Sequence, residues 1–166
     1  MQAIREDMEE FRRQLGKGSI QRAYRALFTF MTELQRNFRN TTPDYGLSSL
    51  YHGYLDMTYF ALFPESLRRR GLKIAVVFNY GAFRFETWLA AGNRKVQQKY
   101  WRLFRDSHWQ KYRVVTPSKG VDSIVEFDSA EEVDFSDTGR LAAAIEKNTV
   151  IFITDIECFL SDHPIV

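Results

Sequence analysis

Disulfide chemistry is missing from the outset. One cysteine, Cys158, stands in a chain of 166 residues, and a lone thiol cannot close an internal bridge. It reads as a small core residue. Membrane-spanning segments are missing too: no apolar run approaches the ~20 residues a spanning helix needs. The three histidines, His52, His108 and His163, show no metal-ligand spacing, and with one cysteine they give no basis for a structural zinc centre. There is no Walker loop, no glycine-rich dinucleotide fingerprint and no G-x-S-x-G turn. No internal repeat or low-complexity segment interrupts the chain. The opening "MQAIREDMEEFRRQ" is acidic and amphipathic, without the basic start and apolar run of a secretory signal. These features together predict a cytoplasmic protein with no membrane partner.

What is present is apolar bulk and an uneven charge. Hydrophobic residues make up 45% of the chain and aromatics 15%, enough for a sizeable core in a single domain over 1–166. The net charge of +2 hides a division. Residues 1–119 carry 21 basic and 10 acidic side chains, a net +11, and residues 120–166 carry 2 and 11, a net −9. Such polarity fits an anionic partner for the basic part, or an acidic C-terminal part that packs on it and neutralises it.

Apolar spacing predicts the elements. Ile4, Met8, Phe11 and Leu15 mark a first helix, ended by Gly16-Lys17-Gly18, and Ser19 can cap a second. Ile20, Tyr24, Leu27, Phe28, Met31, Leu34 and Phe38 form the stripe of that second helix, and Pro43 stops it. Residues 49–63 fit strand or helix. Their aromatic content and Gly53 favour a strand with Tyr51, Leu55, Met57, Tyr59, Ala61 and Phe63 on its apolar face and Asp56 on the other. A helical turn follows.

"LKIAVVFNY" and "FRFETWLAA" are the clearest strands, joined at Gly81-Ala82 by an expected two-residue type II′ turn. That register sets Phe78 opposite Phe85, Val76 opposite Thr87 and Ile74 opposite Leu89 on one face. The other face pairs Val77 with Glu86, Ala75 with Trp88 and Lys73 with Ala90. A helix from about Asn93 to Arg105, strands near 111–115 and 121–127, and two helices over 141–147 and 149–161 complete the order. The fold class is α+β: a mainly antiparallel mixed sheet of about five strands, an N-terminal helical pair and C-terminal helices packed on it.

Two constellations carry chemistry. Asp56 and Glu86, read as neighbours on one polar face with Lys73 beside them, could bind Mg²⁺ as a catalytic or metal site. The same groups also make an ordinary salt-bridged layer. Residues 94–113 carry seven cations against one acid, a net +6. Within them Arg94, Lys95, Lys99 and Arg102, interleaved with Trp101 and Trp109, could bind nucleic acid or another polyanion.

Residues 19–115 resemble the core of the restriction-endonuclease-like superfamily. The order is helix, strands, an acid on a strand (Asp56), a second acid on the next hairpin ("FRFETW", Glu86), a helix and another strand. That resemblance implies a metal-dependent nuclease, but Trp88 stands where the superfamily usually has lysine. The chain also resembles a family of small uncharacterised bacterial proteins with "LDMTYF", "LKIAVVFN" and "FETWLAAGNRKVQQKYW"-like segments, which implies no activity. Three functions stay open: polyanion binding, a divergent nuclease-like enzyme, and an interaction or structural domain with internally neutralised halves. A homo-oligomer is compatible with each.

Overall fold

An antiparallel hairpin over residues 72–91 frames the molecule. The computed structural model describes residues 2–130 and 132–165. Its elements run α1 (Gln2–Gly16), α2 (Ser19–Thr41), β1 (Gly46–Leu47), β2 (Met57–Phe63), α3 (Glu65–Arg68), β3 (Leu72–Asn79), β4 (Arg84–Ala91), α4 (Arg94–Asp106), β5 (Arg113–Val114), β6 (Ser123–Asp128) and α5 (Thr138–Asp162). The strands form one six-stranded sheet in the order β1-β2-β3-β4-β6-β5. Every pairing is antiparallel. The α+β class and the N-terminal helical pair are as the sequence predicts. The sheet holds six strands rather than five, and two of them are only two residues long.

The hairpin register agrees with expectation residue for residue: Phe78↔Phe85, Val76↔Thr87 and Ile74↔Leu89, with Val77↔Glu86 and Ala75↔Trp88 between them. The turn does not. β3 ends at Asn79 and β4 begins at Arg84, so the loop has four residues. The left-handed backbone falls on Phe83 (φ 51°), not on Gly81, and the Ala82 N–H donates to Asn79 Oδ1 at 3.1 Å.

One face of the sheet carries Phe60, Leu62, Ile74, Val76, Phe78, Phe85 and Leu89, all buried. α2 covers it with Leu27, Phe30, Met31, Leu34 and Phe38, and α5 with Ile145, Phe152, Ile153 and Ile156. Phe30 meets Phe85 with ring centroids 5.3 Å apart, and Phe38 meets Phe60 at 5.9 Å. Thr87 and Thr149, both fully buried, join sheet to α5 through their hydroxyls at 2.9 Å.

Four expectations need correction. The strand over 49–63 exists only from Met57, preceded by an isolated bridge between Tyr51 and Tyr59. Its core-facing residues are Thr58, Phe60 and Leu62, not the odd-numbered set. The strand is apolar on both faces, so alternation gave no direction. The two C-terminal helices are one, because Asn148 and Thr149, polar residues that look like a break, are anchored on Ser129 and Thr87. Ser19 is the first residue of α2 rather than its cap, a position held by Gly18 with no side-chain cap bond. Cys158 is exposed, on the outward side of α5.

The packing generates a direct expectation. Phe85→Ala empties the contact with Phe30 and Phe78, and should cost about 3–5 kcal/mol in urea melts. A loss below about 1 kcal/mol would show that the aromatic layer does not carry the core.

Candidate functional site

The side of the sheet away from α2 and α5 holds a small apolar cluster of Ala75, Val77 and Trp88, packed by Met57 and Tyr59. Glu86 lies among them and is 1% exposed. A buried carboxylate needs charge and hydrogen bonds around it, and β4 itself supplies them from two residues away on either side. The Arg84 Nε donates to Glu86 Oε1 at 2.8 Å, and the Trp88 indole N–H donates to Oε2 at 2.7 Å. Arg84 also reaches Asp128 on β6 at 3.0 Å. Trp88 therefore has a definite role where the nuclease pattern has lysine: it caps the buried acid.

Asp56 lies in the turn before β2. Gly53 makes that turn possible, with φ +72°; a Cβ there would stand 1.9 Å from the Met57 carbonyl oxygen. Asp56 Oδ1 accepts from the Tyr54 and Met57 N–H groups at 2.8 and 2.7 Å. Those bonds hold its carboxyl below the ordinary value. The Tyr80 N–H donates to the Asp56 carbonyl, while Glu86 sits opposite Val77. Two strand spacings, across β3, and three positions along it separate them, about 14 Å by strand spacing and rise. Lys73 pairs with Asp122 at 2.8 Å. Lys73 and Asp56 both line a trough of about 260 Å³ with Tyr51, Tyr59 and Trp88, and Glu86 does not. The proposed trio is thus not brought together. Among the described residues no three His, Cys, Asp or Glu side chains are grouped to hold a metal ion.

The basic segment is sorted by α4. Asn93 caps the helix, accepting from the Val96 N–H at 2.9 Å. Gln97 is buried and donates to the Val121 and Ser123 carbonyls, and its own oxygen accepts from Arg94. Tyr100 and Phe104 complete the inward face. Lys95, Lys99 and Arg102 are left outside, at i, i+4 and i+7. None of the three makes a salt bridge among the described residues, although Arg102 lies one turn from Asp106.

The segment's other cations are engaged. Arg105 pairs with Asp106, Lys111 with Asp155 and Arg113 with Glu126, each at 2.7 Å. Arg94 donates to the Ser118 carbonyl at 2.9 Å. That bond brings Lys119 to the start of α4, where a depression of about 480 Å³ opens between Asn93, Arg94 and Lys119. Sequence spacing could not reveal Lys119, because only the folded loop sets it beside the helix. Of the two tryptophans, Trp101 is half-buried under the Arg105 guanidinium at 4.6 Å. Trp109 turns inward onto Phe104 and Phe159, with its indole N–H buried and unbonded.

With these positions fixed, the chain can be compared with known proteins. It belongs to the DUF7000 family, a domain of unknown function. The family model matches residues 4–160. No curated protein and no solved structure matches the chain. DUF7000 membership therefore spans α1 to α5 without assigning a role to any residue. Among the described residues, no helix of this DUF7000 chain is long and apolar enough to cross a membrane.

Two outcomes follow from the ion pairs. Arg84→Met strands the Glu86 charge and should cost ~3 kcal/mol, the low end for a broken buried pair, because a third of the Arg84 side chain is exposed. Mg²⁺ or Mn²⁺ should leave the wild-type melting temperature unchanged, and a rise that disappears in Glu86→Gln would instead make Glu86 a metal ligand. The second outcome concerns acid. Burial pushes the Asp155 carboxyl up, but the Lys111 ammonium and Tyr112 hydroxyl donate to it and hold it below its ordinary value. A lowered folded-state value gives stability present above about pH 4, the unfolded carboxylate range, and lost as pH falls through the folded value. Asp155→Asn should melt earlier at pH 7 and lose less stability on acidification, measured by thermal melts across pH 2–7.

Proposed function

We propose that the chain binds an anionic polymer, with nucleic acid as the best-fitting chemistry, along the outer face of α4. The observation that carries this is the contrast within one basic segment. Arg105, Lys111 and Arg113 are paired with acids, whereas Lys95, Lys99 and Arg102 stand exposed in one row with no salt bridge among the described residues. The row spans about 10 Å of helix at 1.5 Å per residue. That length matches about three nucleotide steps of a duplex strand at 3.4 Å each. Lys119 and Arg94 extend the positive surface at the start of the helix. Trp101, next to Arg102 in the chain, is half-buried under the Arg105 guanidinium, so phosphate contacts dominate and binding is sequence-independent and salt-sensitive.

The interaction-domain alternative has an observation of its own. Lys73–Asp122, Arg84–Asp128, Lys111–Asp155 and Arg113–Glu126 each join the basic part of the chain to its acidic C-terminal part. Neutralisation is thus real but incomplete, and the α4 row is among the cations it leaves over. The nuclease-like alternative, with Mg²⁺ on Asp56 and Glu86, has less support, because Glu86 is engaged by Arg84 and Trp88 and Lys73 by Asp122. A reducing, cytoplasmic setting is part of the same proposal, since Cys158 is an exposed thiol of the kind such compartments keep reduced.

The test is a salt titration of binding to a short duplex and a single strand. The wild type should bind at low salt, with a log–log slope of about −0.9 per duplex phosphate contacted. The triple variant Lys95→Gln/Lys99→Gln/Arg102→Gln should bind more weakly and flatten that slope by two to three contacts' worth, ~2–3. No wild-type binding at low salt, or an unchanged slope in the variant, would sink the proposal. Mg²⁺-dependent cleavage in the same mixtures would favour the nuclease-like alternative.

A further inference from the structure

On a different side of the molecule, the N-terminal helix leaves an apolar face uncovered. Ile4, Met8, Phe11 and Leu15 line one side of α1 over about 16 Å, and the first three are 62, 57 and 46% exposed. An open trough follows this stripe, with Arg5, Glu9 and Arg12 along its borders. Among the described residues, α1 has no sizeable packing beyond its joint with α2.

A second apolar feature lies beyond the joint. The first turns of α2, the β3–β4 loop and the turn before β2 enclose a groove of about 380 Å³. Its lining includes Ile20, Tyr24, Leu55, Phe78, Phe83 and Phe135. Leu55 and Phe83 stand on its lip, 52 and 64% exposed. Both hold left-handed backbone, φ 62° and 51°, a region that bulky residues rarely adopt. The fold thus holds two large apolar side chains out at one opening.

We propose that these two features are the halves of one interface, and that α1 of one copy seats its stripe in the groove of a second copy, reciprocally, to make a two-fold dimer. Three observations choose this occupant. The stripe and the groove are on the same chain, so one reciprocal exchange satisfies both in both copies and closes the assembly. An amphipathic helix with anchors at i, i+4 and i+7 is what an apolar groove of this kind takes. The area is also sufficient. At on the order of 200 Å² per large side chain, the exposed parts of Ile4, Met8, Phe11, Ile20, Leu55, Phe83 and Phe135 amount to ~700 Å² per chain. Two copies would bury ~1,400 Å², within the standard range of about 1,200–2,000 Å² for a specific interface.

The joint explains why α1 does not fill its own groove. The Leu15 carbonyl accepts from the Gly18 N–H at 3.0 Å and from Gln21 Nε2 at 2.8 Å, which fixes the direction in which α1 leaves α2. Gly18, at φ 74°, makes the corner. α1 is therefore held off the groove that its own successor helix helps to build, and a neighbour's α1 can enter.

The experiment is sedimentation velocity on the full chain at about 10–100 μM, a range that populates a micromolar dimer. The wild type should sediment as a dimer. Met8→Glu/Phe11→Glu on α1 should be monomeric and still unfold cooperatively, because neither residue belongs to the core, melting below the wild type only by the dimer's own concentration-dependent contribution, and Phe83→Asp at the groove should be monomeric too. Cross-linking then identifies the occupant in a Cys158→Ser background. A Phe11→Cys chain mixed with a Phe83→Cys chain should give a covalent heterodimer. A chain carrying both changes that cross-links only within itself would show α1 closing on its own groove, and would overturn the proposal. A wild type that is monomeric throughout the range would overturn it as well, as would a monomer that floats with phosphatidylcholine vesicles through the α1 stripe.

Discussion

Successive side chains on a strand point to opposite sides, and along β3 and β4 that alternation divides the molecule. Phe78, Phe85, Val76 and Leu89 face α2 and α5, while Val77, Glu86 and Trp88 face away. A slip of one residue would turn Arg84, Glu86 and Trp88 together into the aromatic layer and send Phe85 to the opposite side. Neither face tolerates that. α2 and α5 have a continuous apolar surface to cover only because the pairing is fixed. Glu86 finds its partners for the same reason: Arg84 and Trp88 are its same-face neighbours on one strand, so the pleat assembles the cluster.

The parts that could be read from the sequence are those in which periodicity and burial agree. The hairpin is amphipathic enough to fix its own register, and the α2 stripe fits one face of a helix. β2 could not be read that way. "MTYFALF" is apolar at nearly every position, with Met57, Tyr59 and Phe63 half-buried on the face opposite Phe60 and Leu62, so its direction depends on neighbours no local window contains. The long α5 failed for a related reason: Asn148 and Thr149 look like a break until Ser129 and Thr87 are seen to receive them. In the candidate site, the row of Lys95, Lys99 and Arg102 follows from helical spacing alone. Which cations are left unpaired does not, because their acids lie up to 44 residues away, as Asp155 does from Lys111. The grouping of Asp56 with Glu86 failed because Asp56 belongs to a turn governed by Gly53, not to a strand face.

The division of charge along the chain has a structural use that differs from a simple cancellation. The acidic segment meets the basic one at chosen places, mostly around β5, β6 and the edge of the trough beside Lys73. Cations near those places are tied down. The outer row of α4 lies beyond their reach, since Gln97, Tyr100 and Phe104 occupy the side of the helix that faces the C-terminal elements. The helix is anchored by its neutral face, and its charge is turned outward.

The length of α5 also matters for how the chain is made. Its 25 residues extend about 37 Å and supply much of the cover for the aromatic side of the sheet. The hairpin is complete in the chain by Ala91, but the cover is complete only near Leu160, roughly 70 residues later. At a synthesis rate of about 5–20 residues per second, that is an interval of ~4–14 s. During that interval the part of the sheet that α5 covers, at Thr87 and later Phe127, still lacks its partners Thr149 and Phe152. The hairpin is thus in place for seconds before the helix that roofs its β6 side exists.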